Sequence, residues 1–297
     1  MFKPRPRVQN VFMRDGKPLV AKVPHLNGDY LQASISEALR LLGGLDKAIQ
    51  SGDQVMVKPN FNCWYALPFS TDLGFLAAVI EILQDAGAKV TLGELSGNPP
   101  YWPTEEVVRK LEVMPVLDRY GVPFINFQHD DWIPLRVEGR YWDSFHVPRS
   151  IYEADKRVYL ANMRCHPARF TASLKLGVGW IGMQDREVLH EDDETVEAKI
   201  AELNLGWQPN LVLIDGRRST VTLRGWGEYI YPNVIMASGD MVAIDTEAVN
   251  ILKQYPAKNR LDIPVQEMGQ LKMAQEHGLG SMDYIIVEAL AHTRTER

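Results

Sequence analysis

A strand, a helix and a second strand follow one another in residues 54–94, QVMVKPNFNCWYALPFSTDLGFLAAVIEILQDAGAKVTLGE. The apolar run that ends at Pro59 predicts a buried strand. The spacing of apolar residues predicts a helix over Leu73–Ala86, and Gly87 suits the left-handed residue that ends many helices. A second strand is predicted directly afterwards, over Lys89–Glu94. Short links between these elements favour a right-handed βαβ unit with parallel strands.

Further buried strands are predicted later in the chain, with helical segments between them. They span 157–161, 211–215, 233–237 and 282–287, and a helix is expected over 241–253. Strands that alternate with helices are typical of a sheet covered on both faces. We therefore predict an α/β fold with a mostly parallel sheet and helices on both faces.

The segment between Gly97 and Pro148 is rich in proline and aromatic residues and has a weaker pattern. A helix is predicted over 104–120, and alternating residues over 136–143 favour a small antiparallel hairpin with a turn at Glu138-Gly139. This part forms a small irregular or antiparallel insertion in our prediction. The chain, 1–297, is then a single α/β domain, with two lobes as the alternative: an N-terminal βαβ lobe with a flap, 1–150, and a C-terminal α/β lobe, 151–297.

Composition narrows the range of partners. The net charge is −6 and the basic residues are scattered, which argues against a nucleic-acid groove or a polybasic membrane surface. Residues 1–10 contain three basic residues but no apolar run, so we expect neither a secretory signal nor a membrane anchor, and a cytoplasmic protein. Small molecules or other proteins are the expected partners, with a small anionic molecule favoured, and a homo-oligomer is compatible with the sequence.

Several familiar sites lack their sequence signatures. No Gly-x-Gly-x-x-Gly follows a predicted strand and precedes a helix, and neither a Walker loop nor a Gly-x-Ser-x-Gly elbow is present. Two cysteines are too few for a cysteine-only zinc or iron–sulfur site. His166, His190 and the acidic run 191–194 offer metal-ligating atoms without a paired spacing, so we expect no metal. The cofactor is left unassigned.

Polar and charged side chains follow the predicted strands, where the ligand crevice of an open α/β sheet lies. The candidates for catalysis are His166, Lys58 and Lys175. The candidates for ligand binding are Asn60, Asn62, Ser70, Thr71, Asp72, Glu94, Arg164, Thr171, Asp215 and Asp240. We predict that the fold gathers these groups into one pocket.

Positive groups within this set favour an anionic ligand. Lys58, Arg164 and Lys175, with the helix N-terminus after 70–72, suit a carboxylate or a phosphate. The three carboxylates of the set would balance that charge. Histidine ordinarily titrates near neutrality, so His166 is the leading candidate for the general acid or base.

The same residues also have structural alternatives. Lys58 can neutralise a nearby carboxylate, and the two asparagines can cap turns. His166 can be an ordinary hydrogen-bonded histidine. Thr71, Asp72 and Asp240 suit helix N-caps, a role that we favour over catalysis for them.

The motifs around these residues resemble the family catalogued as domain of unknown function 362. They are VKPN at 57–60, STD at 70–72, LQDAGA at 83–88, GE at 93–94, RCH at 164–166, FTASLKLG at 170–177, His190, DG at 215–216 and ASGDMVAID at 237–245. Leu176 stands where the family usually has asparagine.

The resemblance implies little chemistry, because the family has no assigned function. Some members carry ferredoxin-like cysteine clusters, and this chain resembles the family without that iron–sulfur extension. An electron-transfer role is therefore not expected. The strand-loop-helix segment also resembles, more faintly, the N-terminal half of lactate-racemase-like proteins.

Three hypotheses for the function stay open at this point. The leading one is an enzyme that acts on a small anionic substrate, with Lys58, Arg164 and Lys175 holding the anion and His166 moving a proton. The second is a non-catalytic ligand-binding or scaffold protein that uses the same residues. The third is a thiol-based redox protein that uses Cys63 and Cys165.

Overall fold

The computed structural model describes residues 1–25, 30–97, 102–223 and 228–289. Its strands are β1 Met13–Arg14, β2 Lys17–Pro24, β3 Gln54–Lys58, β4 Lys89–Glu94, β5 Phe124–Asn126, β6 Trp132–Arg136, β7 Ser144–Pro148, β8 Lys156–Asn162, β9 Arg164–His166, β10 Arg169–Thr171, β11 Leu211–Gly216, β12 Ser219–Thr220, β13 Tyr229–Ile230, β14 Val234–Ser238 and β15 Ile285–Glu288. Its α-helices are α1 Leu31–Leu42, α2 Leu73–Asp85, α3 Thr104–Lys110, α4 Val113–Tyr120, α5 Arg149–Glu153, α6 Met183–Leu189, α7 Val196–Leu203, α8 Met241–Leu252 and α9 Gly269–Glu276.

Within the described residues, nine strands form one mixed sheet that is mostly parallel. Its order is β1-β2-β14-β11-β8-β3-β4-β5, and β15 pairs with β2. The five strands from β11 to β5 run parallel to one another, so the predicted βαβ unit is confirmed. Their carboxyl ends consequently share one edge of the sheet. Small antiparallel pairs, β6–β7, β9–β10 and β12–β13, lie outside it.

Helices cover both faces of the sheet, as predicted. Side chains alternate between the two sides of a strand, and in β8 Val158 and Leu160 pack into one apolar core while Tyr159 and Ala161 pack into the other. Residues of α1 and α2 belong to the first core, and residues of α7, α8 and α9 belong to the second. This two-sided burial explains why the strands are apolar at nearly every position.

The direction of β14 differs from the prediction. It pairs antiparallel with both β11 and β2. A parallel return needs a crossover, usually a helix, whereas the described parts of the connection between β11 and β14 contain only β12 and β13. The carboxyl end of β14 therefore lies at the opposite edge of the sheet from the ends of β3, β4 and β8.

Two local predictions also differ from the structure. The helix expected over 104–120 is divided into α3 and α4 at Glu112, whose φ is +59°. A continuous helix would place Pro115 in its interior and remove a backbone hydrogen bond there, whereas Pro115 lies in the first turn of α4. The antiparallel hairpin predicted over 136–143 is present but longer: β6 and β7 extend it on both sides, and Val137 N and Gly139 N donate to Asp143 O and Trp142 O inside it.

The proposed division of the chain into lobes stays a prediction, although strands from both halves share the main sheet. Among the described residues, no helix combines the length and apolar character that a bilayer crossing requires. The cytoplasmic location stays a prediction as well.

Candidate functional site

A cavity of about 30 Å³ lies beyond the carboxyl ends of β3, β4 and β8. Its walls include seven of the predicted site residues, namely Lys58, Asn60, Asn62, Glu94, Arg164, Thr171 and Lys175. Arg186, from α6, completes a group of four cations around a single carboxylate. We call this space the cation cavity. A cavity of this size holds water-sized groups such as the oxygens of an oxyanion.

Lys58 and Glu94 form a buried ion pair in the cation cavity. Both are 1% exposed, and Lys58 Nζ lies 2.5 Å from Glu94 Oε1. Glu94 also accepts hydrogen bonds from the backbone N–H groups of Leu95 and Phe61, at 2.8 and 2.7 Å. Burial lowers the pKa of Lys58 and raises that of Glu94, and the attraction between the two charges opposes both shifts. The sequence-based alternative for Lys58, a partner to a carboxylate, is therefore present in the structure.

The other three cations form no ion pair with any described carboxylate. Arg164 donates one long hydrogen bond, 3.4 Å, to the Cys165 carbonyl. Arg186 donates to three backbone carbonyls, those of Leu95, Ser96 and Gly97. Burial lowers the pKa of both guanidinium groups, that of Arg186 to about 10. The positive groups of the cavity thus outnumber its one described carboxylate, Glu94, which is paired with Lys58.

Lys175 has fewer hydrogen-bond partners among the described residues than the other cations of the cavity. Among the described residues, none accepts a hydrogen bond from its ammonium group or pairs with it. Burial and the nearby charges of Arg164 and Arg186 lower its pKa to about 7. A lysine with that pKa exchanges protons near neutral pH, which is the requirement for a general acid or base.

A carboxylate from α8 fixes the turn that carries Lys175. The buried Asp245 accepts hydrogen bonds from Ser173 N at 2.8 Å, Ser173 Oγ at 2.6 Å and Leu174 N at 2.9 Å. These bonds hold the start of the 3₁₀ helix Leu174–Trp180. Asp245 is therefore a positioning residue for Lys175.

Unpartnered buried polar atoms also face this region. Arg164 Nε and Thr171 Oγ1, on residues 8% and 5% exposed, have no hydrogen-bond partner among the described groups. The same holds for Nδ2 of Asn162, whose Oδ1 accepts a 3.0 Å hydrogen bond from Asn60. Buried polar groups are ordinarily satisfied, so donors without partners indicate a place for an acceptor.

His166 lies beside the cation cavity rather than in its wall. Its Nδ1 accepts a 3.0 Å hydrogen bond from Ala168 N. Burial and the charges of Lys175 and Arg164 hold the pKa of its ring well below the usual range. His166 is therefore a neutral imidazole at physiological pH, whereas Lys175, with a pKa of about 7, titrates near neutrality.

The residues 70–72 serve the loop between β3 and α2. Ser70 Oγ donates to Cys63 O, Thr71 Oγ1 accepts from Asn60 N, and Asp72 caps α2 by accepting from Phe75 N. These side chains have partners within the protein. Thr71 holds the backbone of Asn60, and none of the three side chains lines the cation cavity.

Asp215 and Asp240 also lie outside the cation cavity. Asp215 binds Arg217 through two hydrogen bonds, of 2.9 and 2.7 Å, and Arg217 reaches on to Asp72 at 2.8 Å. Asp240 follows the reversed strand β14, so it lies at the opposite edge of the sheet. There it caps α8 through Ala243 N and accepts a hydrogen bond from Ser281 N. Neither carboxylate balances the charge of Arg164 or Lys175.

Gly179 permits the close packing of the 3₁₀ helix on the ion pair. A Cβ atom at this position would lie 2.7 Å from Lys58 Nζ and 3.1 Å from Glu94 Oε1. The segment Gly177–Gly182 has Gly-x-Gly-x-x-Gly spacing, but a Cβ at Gly177 would meet Leu203 Cβ at 3.2 Å. These glycines therefore serve packing, and the segment does not form the phosphate loop of a dinucleotide site.

Three residues in or around this site were not predicted from the sequence. Arg186 lies in the middle of a short helix, Asn162 ends a strand that was predicted one residue too short, and Asp245 acts from a distant helix. Only Asp245 had a signal, because it ends the motif at 237–245.

The two cysteines are buried thiols. Burial raises the pKa of both Cys63 and Cys165, which disfavours the reactive thiolate. Within the described part of the chain, no three histidine, cysteine or acidic side chains are grouped closely enough to hold a metal ion.

Comparison with known proteins gives a family and two distant similarities. The model of the domain of unknown function DUF362 matches residues 55–250. The thylakoid-associated protein sll1697 of Synechocystis sp. is 24% identical over 243 residues, which cover 76% of this chain and 71% of that protein. The lactate racemase apoprotein from Thermoanaerobacterium thermosaccharolyticum superposes with a TM-score of 0.37 and 10% identity, over 78% of this chain and 57% of the racemase chain.

Proposed function

This chain belongs to the family of the domain of unknown function DUF362, and from that premise we propose that it binds a small anionic organic molecule in the cation cavity. Arg164, Arg186 and Lys175 hold the anion, and Lys175 moves a proton to or from it. The Lys58–Glu94 pair forms a fixed, neutral part of the wall.

One observation carries this proposal: two buried guanidinium groups, of Arg164 and Arg186, and the partly buried ammonium of Lys175 share a cavity without forming an ion pair with any described carboxylate. Burying a charge without a partner is costly, and proteins ordinarily pair such charges or neutralise them. A bound oxyanion supplies the missing negative charge. It also supplies acceptors for Arg164 Nε and Thr171 Oγ1, which have none among the described residues.

Lys175 is the group best suited to proton transfer. In its neutral form the amine takes a proton from a bound acid, and in its charged form it returns one. Arg164 and Arg186 keep their charge throughout, because guanidinium groups remain protonated at neutral pH. The thiol-based alternative gains no support from two buried thiols with raised pKa values.

Sulfate is a suitable probe for the binding step, because its charge does not change near neutral pH. We expect one sulfate per chain at low ionic strength, measured by calorimetric titration, and about tenfold weaker binding in Lys175→Met and in Arg164→Met. Affinity should fall as the pH rises through about 7, because Lys175 loses its positive charge there.

Lys272→Met is the matched control for these variants, because it removes one exposed charge from α9, away from the cavity. It should bind sulfate as the unmodified protein does. Equal sulfate affinity in Lys175→Met, Arg164→Met and the control would refute the proposal.

Proton transfer can be tested apart from binding with Lys175→Arg. Arginine keeps the positive charge but does not release its proton near neutral pH. We expect the unmodified protein to exchange a carbon-bound hydrogen next to the carboxylate of a bound organic acid for deuterium in heavy water, measured by proton NMR. Lys175→Arg should still bind sulfate and lose this exchange. If Lys175→Arg exchanged the hydrogen as fast as the unmodified protein, proton transfer by Lys175 would be refuted and the proposed anion binding would stand.

A further inference from the structure

A second pocket, of about 510 Å³, opens beside the cation cavity. Its wall is formed by Asn62, Cys63, Tyr65, Phe69, Trp102, Arg164, His166, Pro167 and Leu223. Asn62 and Arg164 line both spaces, so the two adjoin. We call it the aromatic pocket. Its volume lies in the range of small-molecule sites, whereas the cation cavity alone has room for the oxygens of an anion and not for the rest of an organic molecule.

Three aromatic rings dominate the open side of this pocket. The rings of Tyr65 and Trp102 lie 5.6 Å apart at 61°, and those of Tyr65 and Phe69 lie 6.2 Å apart at 68°. Trp64 packs behind Trp102, with ring centroids 3.9 Å apart. The pocket thus offers both ring faces and ring edges at its surface.

The polar groups of the aromatic pocket lie where it meets the cation cavity. The guanidinium of Arg164 stands over the ring of Phe69, 5.3 Å from its centroid. His166 contributes a neutral imidazole, for the reasons given above. Cys63, Pro167 and Leu223 make the remaining wall apolar. A ligand that fits both spaces has a charged group at one end and an apolar ring at the other.

We propose that the ligand is an aromatic acid, whose anionic group enters the cation cavity and whose ring lies among Tyr65, Phe69 and Trp102. This inference rests on the proposed anion binding and adds the class of molecule. Aromatic rings prefer edge-to-face neighbours at these separations, so a planar aromatic ring completes the arrangement better than an aliphatic group of similar size.

The test compares acids with and without a ring. Acetate, phenylacetate and cyclohexylacetate carry the same carboxylate, and their affinities are measured by calorimetric titration. We expect phenylacetate to bind about tenfold more tightly than acetate, and more tightly than cyclohexylacetate. Trp102→Ala should bring the ratio of phenylacetate to acetate affinity close to one, and Tyr65→Leu should lower it.

Tyr231→Ala is the matched control, because Tyr231 is an exposed aromatic residue outside this pocket. It should keep the full ratio. Acetate binding without a preference for phenylacetate, or equal binding of the phenyl and cyclohexyl acids, would overturn the aromatic ligand and leave the anion site intact. Absence of binding by sulfate and by all three acids would overturn the proposed function itself.

Discussion

Glu94→Gln should lower the free energy of unfolding by about 3–5 kcal/mol, the range measured when one partner of a buried ion pair is removed. The variant leaves the ammonium of Lys58 buried, 1% exposed, without a countercharge. It also removes the only carboxylate in the wall that contains Arg164, Lys175 and Arg186. Urea denaturation at neutral pH measures the loss.

Two further variants test whether the stability lost in Glu94→Gln comes from the buried charge or from altered packing. Lys58→Met/Glu94→Gln removes both charges and should recover most of the lost stability, because buried pairs can often be replaced by apolar groups at little cost. Asp283→Asn breaks the exposed pair with Lys17 and should change stability by less than about 0.5 kcal/mol. A loss for Glu94→Gln no larger than that of Asp283→Asn would contradict the buried charge pair.

Lys175→Met should make the protein more stable, and the gain should depend on pH. The pKa of Lys175 is about 7 in the folded state and 10.5 in its ordinary state. Between these values the unfolded chain binds the additional proton, so the stability of the unmodified protein rises with pH relative to the variant. The advantage of Lys175→Met is therefore full below pH 7, declines between pH 7 and 10.5, and disappears above that range.

The expected gain below neutrality is on the order of 5 kcal/mol, since the pKa of Lys175 falls from 10.5 to about 7 and each pKa unit corresponds to about 1.4 kcal/mol. Urea denaturation of both proteins at several pH values measures it. The raised pKa values of Asp240 and Asp245 are common to both proteins and cancel in the difference. Lys272→Met should show no such trend. A difference between Lys175→Met and the unmodified protein that is constant with pH would contradict the buried, partnerless lysine.

Much of the sheet could be predicted because its signals are local. The apolar runs at β3, β4, β8 and β11 and the helical spacing in α2 are each contained in a few residues. The gathering of Lys58, Glu94 and Arg164 followed from a general rule about the carboxyl ends of parallel strands. The rule depends only on the direction of the strands, and β3, β4 and β8 run parallel as predicted.

The position of Asp240, at the opposite edge of the sheet from the cavity, was predicted wrongly. Its strand, β14, has the same local pattern as β11, and only the connection between the two decides whether the chain crosses over or turns back. Arg186 was missed because its helix, α6, follows no strand end. We propose Lys175 rather than His166 for proton transfer because the pKa of each depends on burial and neighbouring charge, which sequence spacing does not reveal.

The three hydrogen bonds from Asp245 make the site depend on a part of the chain far from it. Every charged side chain of the cation cavity lies between positions 58 and 186, yet the turn that presents Lys175 is held from α8. A gene fragment that stops before α8 would encode every described residue that lines the cavity and lack the carboxylate that fixes the turn before Lys175. Loss of α8 is therefore expected to loosen the turn that presents Lys175 although no residue that lines the cavity is removed.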